Sequence, residues 1–439
     1  MRIVLLSLHT SPAAQPGTGD AGGLNVYVAH TAAHLVRAGH TVDILTADPA
    51  AQENAAVDLD EGVRLHILAV DATTKDEMGG EASAIARRIA ADPQLGPLLR
   101  DADVVWAHYW VSGLVACELR ALAAAANAGG APNSDPTPGT GPAATPTKGP
   151  ALAMSFHTIA LVKDRDLGEA REPALRLAAE ARIAQEADVL LANTPSEAHD
   201  LEHLLAADPA RIRVVPPGVD TATFRPGPVQ DARRAIGMES ADLLVLGVGR
   251  MQHVKGTDIL LEALADLAVS DPVLARRTRV VLLGGASGEA DATRLQERAQ
   301  ASAAGSLLEF RDPVPAAILA DWYRAADLVV VPSRSESFGF VAAEAVATGT
   351  PVLASRVGGL AHIVRPGVSG VLVADRSPRT WADAIAALLA DPGLRAQLSV
   401  GASAMRDELS WETAEAGMLE VLTELASAGR RGTTERSRA

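Results

Sequence analysis

Short apolar runs alternate with longer, Ala-rich stretches of helical spacing along almost the whole chain. In the first half the runs fall at residues 2–8, 41–46, 64–70, 104–108, 151–156, 189–193 and 212–215. A second series falls at 243–247, 279–283, 308–311, 328–331, 351–354 and 370–373. A run such as Leu328-Val329-Val330-Val331 has no polar face, the pattern of a strand buried on both sides. Strands of that kind interleaved with helices predict parallel sheets covered by helices on both faces. Between 220 and 231 the pattern lapses into Thr, Pro and Gly, as at a joint between domains. The expected fold class is therefore α/β, with two doubly wound, Rossmann-like domains at 1–220 and 221–410 facing each other across a cleft. A final helix at 411–428 is a candidate to pack back on the first domain, and residues 429–439 read as a disordered tail. Residues 127–150, rich in Gly, Pro, Thr and Ala, break the rhythm and read as a flexible surface insertion.

Composition narrows the classes. A chain of 439 residues suits two domains. No segment approaches the roughly 18 uncharged apolar residues of a membrane span. The apolar amino end runs on into His9 and a Gly-rich loop without a cleavage site, so it reads as a first strand and not a secretion signal. The single cysteine, Cys117, excludes internal disulfides and fits a reducing, cytoplasmic compartment. A net charge of -15 argues against nucleic acid or an anionic membrane as a partner. Small anions stay open, because local cations can outweigh the global field. Lysine is scarce, at Lys75, Lys148, Lys163 and Lys255 only, which draws attention to each one outside the insertion.

Four constellations carry chemistry. Glu336 and Glu344 lie in SRSESFGFVAAEAVATGTP, the first in a strand-to-helix loop and the second about two turns into the helix. Helix-start N–H groups bind phosphate and a loop carboxylate accepts from sugar hydroxyls, so the pair suits a nucleotide-sugar. Taken alone, it fits solvated acids favoured by the helix dipole better than ligands. Gly249-Arg250-Met251-Gln252-His253-Val254-Lys255-Gly256 places two cations in a loop at a strand's carboxyl end, suited to a pyrophosphate leaving group. In the first domain, His9 and the Gly-rich loop lead to Gly22-Gly23, where backbone can approach a ligand closely. Gly17, Gly19 and Gly22 spell G-x-G-x-x-G, but too far from the strand for the dinucleotide fingerprint. Ser155-Phe156-His157-Thr158 ends another strand facing the same cleft, with Lys75, Tyr109, Lys163 and Arg176 as groups that could gather round an anionic acceptor.

Together these residues resemble the family four group of retaining GT-B glycosyltransferases over residues 1 to about 425. The most specific marks are the two glutamates and the Arg250/Lys255 loop. The amino loop from His9 to Tyr27 narrows the resemblance to the inositol-phosphate-using branch that serves mycothiol synthesis, although Gly22-Gly23-Leu24-Asn25-Val26-Tyr27 is similar to sucrose-phosphate synthases too. The resemblance implies UDP-N-acetylglucosamine as donor, 1D-myo-inositol 3-phosphate as acceptor, and retention at the anomeric carbon. It implies acceptor contacts from His9, Asp20, Ala21, Gly22, Gly23, Leu24, Asn25, Lys75, Tyr109, Thr158 and Arg176. Donor contacts would come from Gln15, Pro16, Gly23, Arg250, Lys255, Val314, Glu336 and Glu344, with His157, Arg250, Lys255 and Glu336 as the catalytic set. Mg²⁺ near Tyr323, Arg324, Ala326 and Thr350 is implied as well, without a part in the chemistry. A homodimer is compatible with the resemblance.

The sequence departs from the family at Val314, where arginine is usual, so a contact there would have to be made by backbone. His253-Val254 replaces a commoner proline-containing pair but leaves the charged ends of the loop intact. Three other readings stay open at this stage: a sucrose-phosphate-synthase-like enzyme, an NAD(P)-dependent oxidoreductase, and a non-catalytic nucleotide-sugar binder.

Overall fold

A computed structural model describes residues 1–16, 21–60, 62–128, 149–238, 242–285, 295 and 297–436. Gly17, Gly19, Asp20 and most of the insertion lie outside these. The first sheet is built from β1 (Arg2–Leu6), β2 (Thr41–Asp48), β3 (Ala55–Asp60), β4 (Val63–Ala69), β5 (Val104–His108), β6 (Ala151–Ser155), β7 (Val189–Ala192) and β8 (Ile212–Val214). The second is built from β9 (Leu243–Val248), β10 (Thr278–Leu283), β11 (Leu308–Arg311), β12 (Leu328–Val331), β13 (Val352–Ser355) and β14 (Gly370–Val373). Their orders are β3-β4-β2-β1-β5-β6-β7-β8 and β11-β10-β9-β12-β13-β14. The α/β reading with two parallel-sheet halves is borne out.

Alternation along single strands explains how each sheet buries both faces. In β1, Val4 and Leu6 enter the core on one side, while Ile3 and Leu5 enter the core on the other. In β9, Leu244 and Leu246 face one helix layer, and Leu243 and Val245 the opposite one. The second sheet has doubly wound order, which reverses between β9 and β12; the first reverses between β1 and β5. Ligands of such sheets sit outside the strand carboxyl ends at those reversals.

Three features differ from the sequence reading. The strand β3 pairs antiparallel with β4 and was not expected. Its sequence, AAVDLD, is short and half acidic, suited to a sheet edge and weak as an apolar signal. The terminal helix runs Trp411–Arg436, past 428 and into the expected tail, because its Ala, Glu and Arg residues contain no proline to stop it. It lies on the first half of the chain: Trp411 stacks on His30 with ring centroids 5.4 Å apart, and Met418 and Leu422 are buried in the first-sheet core. Finally, the helix Tyr109–Ala128 contains an 18-residue stretch of mean hydropathy 1.2, long and apolar enough to cross a membrane. Its Trp110, Val111, Val115 and Cys117 are fully enclosed in the first-sheet core, so it serves as a core helix here.

Candidate functional site

The groups that the sequence singled out emerge from the carboxyl ends of β1, β5, β6, β9 and β12. Two of them carry strained backbone. Tyr109, directly after β5, has φ 71°, and His157, just after β6, has φ 60°. Non-glycine residues held in this region cost of order 1–3 kcal/mol and cluster at functional sites.

On the second sheet, the loop after β9 and the loop after β12 close on each other. Lys255 Nζ donates to Glu336 Oε2 at 2.7 Å, and Ser333 Oγ donates to the same oxygen at 3.2 Å. Lys255 keeps 30% side-chain exposure and Glu336 16%, so the pair is open to the cleft. That cleft is lined among others by Gly249, Arg250, Lys255, Ser333, Glu336 and Val341. The clamp holding the two loops together is Arg334, which sequence reasoning missed. Its guanidinium takes both Asp258 oxygens at 2.7 Å and the His253 carbonyl at 2.7 Å. The only sequence signal was an arginine among serines in SRSES.

Glu344 sits apart from Glu336. Its carboxylate accepts from the Tyr323 hydroxyl at 2.8 Å, and burial raises its pKa to about 7. The two glutamates are therefore not equivalent: one is ion-paired in the open cleft, the other holds a phenol. Val314 packs against the second core, which leaves its backbone as the part available to a ligand.

The four positions implied for magnesium present neutral oxygens. The Tyr323 carbonyl already accepts from Thr350 Oγ1 at 2.7 Å and from the Ala326 amide at 3.1 Å. Arg324 donates to Asp321 at 2.6 Å. No carboxylate completes the set, and among the described residues no three His, Cys, Asp or Glu side chains could hold a metal. Magnesium demands a near-octahedral oxygen shell, generally with a carboxylate or substrate phosphate. These residues do not fit one.

On the first sheet, the His9 ring lies tilted against Tyr109 with ring centroids 4.2 Å apart, and the Arg176 guanidinium lies 5.1 Å from the Tyr109 ring centre. Burial, and then the charges of Lys75, Arg176 and Arg250, push His9 down to a pKa of about 3. Arg176 is the cation in direct contact with the Tyr109 ring. Arg176 is itself buried and committed: it donates to Glu180 at 2.7 Å, Glu172 at 2.6 Å, and the Thr158 carbonyl and hydroxyl at 3.0 Å. Lys163, the other candidate cation nearby, pairs with Glu172.

The Gly22–Gly23 turn opens the helix Gly23–Arg37. Asn25 is buried and fixes the turn, accepting from the Gly22 amide at 2.9 Å and donating to Thr10 Oγ1 at 2.9 Å. Ala21 is buried and Leu24 packs on both first-sheet cores, so these two offer backbone rather than side chain. Gln15 and Pro16 are exposed, and Asp20 lies outside the described residues. His157 Nε2 is 3.0 Å from His108 Nδ1, and Tyr27 meets the His157 ring edge-on at 4.9 Å. Burial, followed by His9, holds His157 at about 3. It is neutral at pH 7 and too weak a base to be a general-base catalyst.

The relatives are consistent with this geometry. The model for "Glycosyl transferase 4-like domain" matches residues 22–218, and that for "Glycosyl transferases group 1" matches 229–405. The D-inositol 3-phosphate glycosyltransferase of Xylanimonas cellulosilytica is 40% identical over 96% of this chain and 96% of its own. The chain belongs to the D-inositol 3-phosphate glycosyltransferase family. A second member, D-inositol 3-phosphate glycosyltransferase 1 of Catenulispora acidiphila, is 40% identical over 98% of this chain and 97% of its own. Among solved structures, a sucrose-phosphate synthase from Thermosynechococcus elongatus superposes with a TM-score of 0.81 at 27% identity, covering 97% of this chain and 99% of that one. The GT-B fold and hexosyltransferase activity follow for this chain. The dinucleotide reading falls with it, since the helix begins at Gly23, well beyond the end of β1 at Leu6.

The titrations oppose one another in sign. His157 binds its proton in the unfolded chain, ordinarily at 6.5, but not in the fold until about pH 3. Its contribution to stability is present above 6.5 and is lost as pH falls toward 3. Glu344 is the reverse: its folded value, about 7, exceeds the ordinary 4.5, so its contribution is present below 4.5 and is lost as pH rises through 7. Between pH 6 and 4.5, His157→Asn makes the slope of unfolding free energy against pH more negative by up to about 1.4 kcal/mol per unit. Glu344→Gln makes the same slope more positive by a similar amount. Denaturant unfolding of the parent and both variants at stepped pH measures the two slopes.

Proposed function

We propose that this enzyme transfers N-acetylglucosamine from UDP-N-acetylglucosamine to 1D-myo-inositol 3-phosphate with retention. The product is the N-acetylglucosaminyl-inositol phosphate precursor of mycothiol, made in the cytoplasm. The observation that carries the reading is the cleft on the second sheet lined by Arg250, Lys255 and Glu336, with Lys255 held on Glu336 at 2.7 Å. It supplies positive charge for a departing diphosphate. The names of relatives 40% identical over nearly the whole chain support the same acceptor.

Front-face displacement is the mechanism that suits these groups. The acceptor oxygen bonds to the anomeric carbon on the side from which the β-phosphate oxygen departs, and the hydroxyl proton passes to that phosphate. Arg250 and Lys255 stabilise the charge that develops on UDP. Glu336 orients sugar hydroxyls, and neutral His157 supports the reacting sugar. Glu344, joined to Tyr323, is placed for the ribose. Lys75, Tyr109, Thr158 and the His9 ring surround the acceptor, with Arg176 organising Tyr109 and Thr158 from behind. No carboxylate acts as nucleophile, in keeping with the salt bridge that holds Glu336.

Incubation of the purified protein with both substrates yields UDP and an α-linked disaccharide phosphate, read by phosphorus and proton NMR. Absence of product with that pair, but turnover with fructose 6-phosphate, supports instead the sucrose-phosphate-type reading that the 0.81 TM-score favours.

A further inference from the structure

The two halves of the site meet at an aromatic ring with no role in the reading above. Phe340 opens the helix Phe340–Ala347, four positions after Glu336 in the same loop. A Cβ placed on Gly23 would lie 2.8 Å from Phe340 Cδ2 and 3.3 Å from Cε2, whereas one on Gly22 would meet nothing within 4 Å. The second glycine of the pair is thus required by the Phe340 ring. Phe340 packs against a core of each sheet and meets Phe338 edge-on at 5.0 Å. The Glu336 carbonyl is fixed from behind by the Gly359 amide at 2.9 Å. The loop carrying Glu336 is therefore held on one side by its own half of the chain and pressed on the other by Gly23. Two further contacts join the halves, Ser196 Oγ with His362 Nε2 at 2.8 Å and Arg376 with the Asp166 carbonyl. Both involve exposed polar groups that water can replace at little cost. The Phe340 contact is the apolar one of these three and has no such substitute.

We infer that Phe340 is a positioning residue whose ring sets the distance between the donor-side loop at Glu336 and the acceptor-side helix start at Gly22–Gly23. The inference rests on the transfer reading above. It gives the ring two tasks: to keep the acceptor hydroxyl within reach of the anomeric carbon, and to keep water out of the gap between the substrates. Phe340 touches neither reacting atom, so its loss leaves donor binding at Lys255 and Glu336 largely in place. Misplacement of reacting groups by about 1 Å can cost on the order of 10²-fold in rate.

The test is a cycle of Gly23→Ala, Phe340→Ala and the double variant. Phe340→Ala lowers acceptor-dependent kcat about 10–100-fold, changes donor Kd less than about threefold, and raises donor hydrolysis without acceptor relative to transfer. Gly23→Ala costs about tenfold with Phe340 in place and less than about threefold when Phe340 is already alanine. Additive losses, or loss of donor binding without any rise in hydrolysis, overturn the inference. The same cycle in thermal midpoints reads the Gly23–Phe340 contact without substrate, and additivity there overturns the contact itself. Failure of the parent to make the disaccharide phosphate counts against the proposed function; a coupled midpoint cycle in that case still upholds the Gly23–Phe340 contact, while the spacing role falls with the transfer reading.

Discussion

Lys255→Ala lowers turnover about 10²–10³-fold at saturating donor, the usual loss when one fixed charge or donor is withdrawn from a developing anion. Its ammonium lies 2.7 Å from Glu336, in the loop at the carboxyl end of β9, where the sheet order reverses. Stability changes little by comparison. The lysine is 30% exposed, and Glu336 retains the Ser333 hydroxyl after the substitution. A loss of about 1 kcal/mol in a domain of this size moves the thermal midpoint by roughly 2–4 °C. Initial rates at saturating donor, beside a thermal melt, separate the two effects. A fall in midpoint far beyond that range, with turnover preserved, would reassign Lys255 from the chemistry to the scaffold. Lys255→Arg restores less than the charge alone suggests, since a planar fork does not reproduce a compact ammonium at the same oxygen.

Arg176→Leu acts through the opposite balance. The guanidinium is 3% exposed and its partner Glu180 is fully buried. Burial pushes the Glu180 carboxyl up, and the Arg176 charge works against that rise. Removing one member of a buried pair strands the other, at a cost of about 3–5 kcal/mol, or a midpoint about 6–20 °C lower. Arg176→Leu combined with Glu180→Leu recovers much of the loss, because no buried charge is then left alone. Calorimetric melts of the parent, single and double variants measure this. An unchanged midpoint in the single variant would mean that the arginine is not committed to Glu180 and Glu172 and is free to meet an acceptor phosphate directly.

Much of the architecture was legible because its determinants are local. Runs such as Leu328–Val331 announce buried strands, and cations or carboxylates directly after them fall where an α/β sheet opens. The strand β3 was not legible, since AAVDLD is polar enough to pass for a loop and is paired only by its neighbour β4. In the site, the loops were legible but their relations were not. Arg334 looked like one arginine among many until Asp258 and His253 stood opposite it. The Glu336–Glu344 spacing suggested two similar ligands, whereas Tyr323, from a separate helix, makes them chemically unlike. Gly23 pointed to a close approach, but its neighbour in the fold is a ring more than 300 positions away in the chain.

The terminal helix returns the chain to its first half, so the backbone passes between the halves twice. The two passages run side by side: the Val219 amide donates to the Leu409 carbonyl at 2.7 Å, and Val219 bridges Ser410. A Cβ on Gly218 would come within 2.3 Å of the Trp411 backbone. Two adjacent tethers act as a single pivot, which permits rotation and resists sliding. Under such a rotation, displacement grows in proportion to distance from the pivot. A small rotation at Val219 and Ser410 therefore moves the cleft residues farthest from them the most.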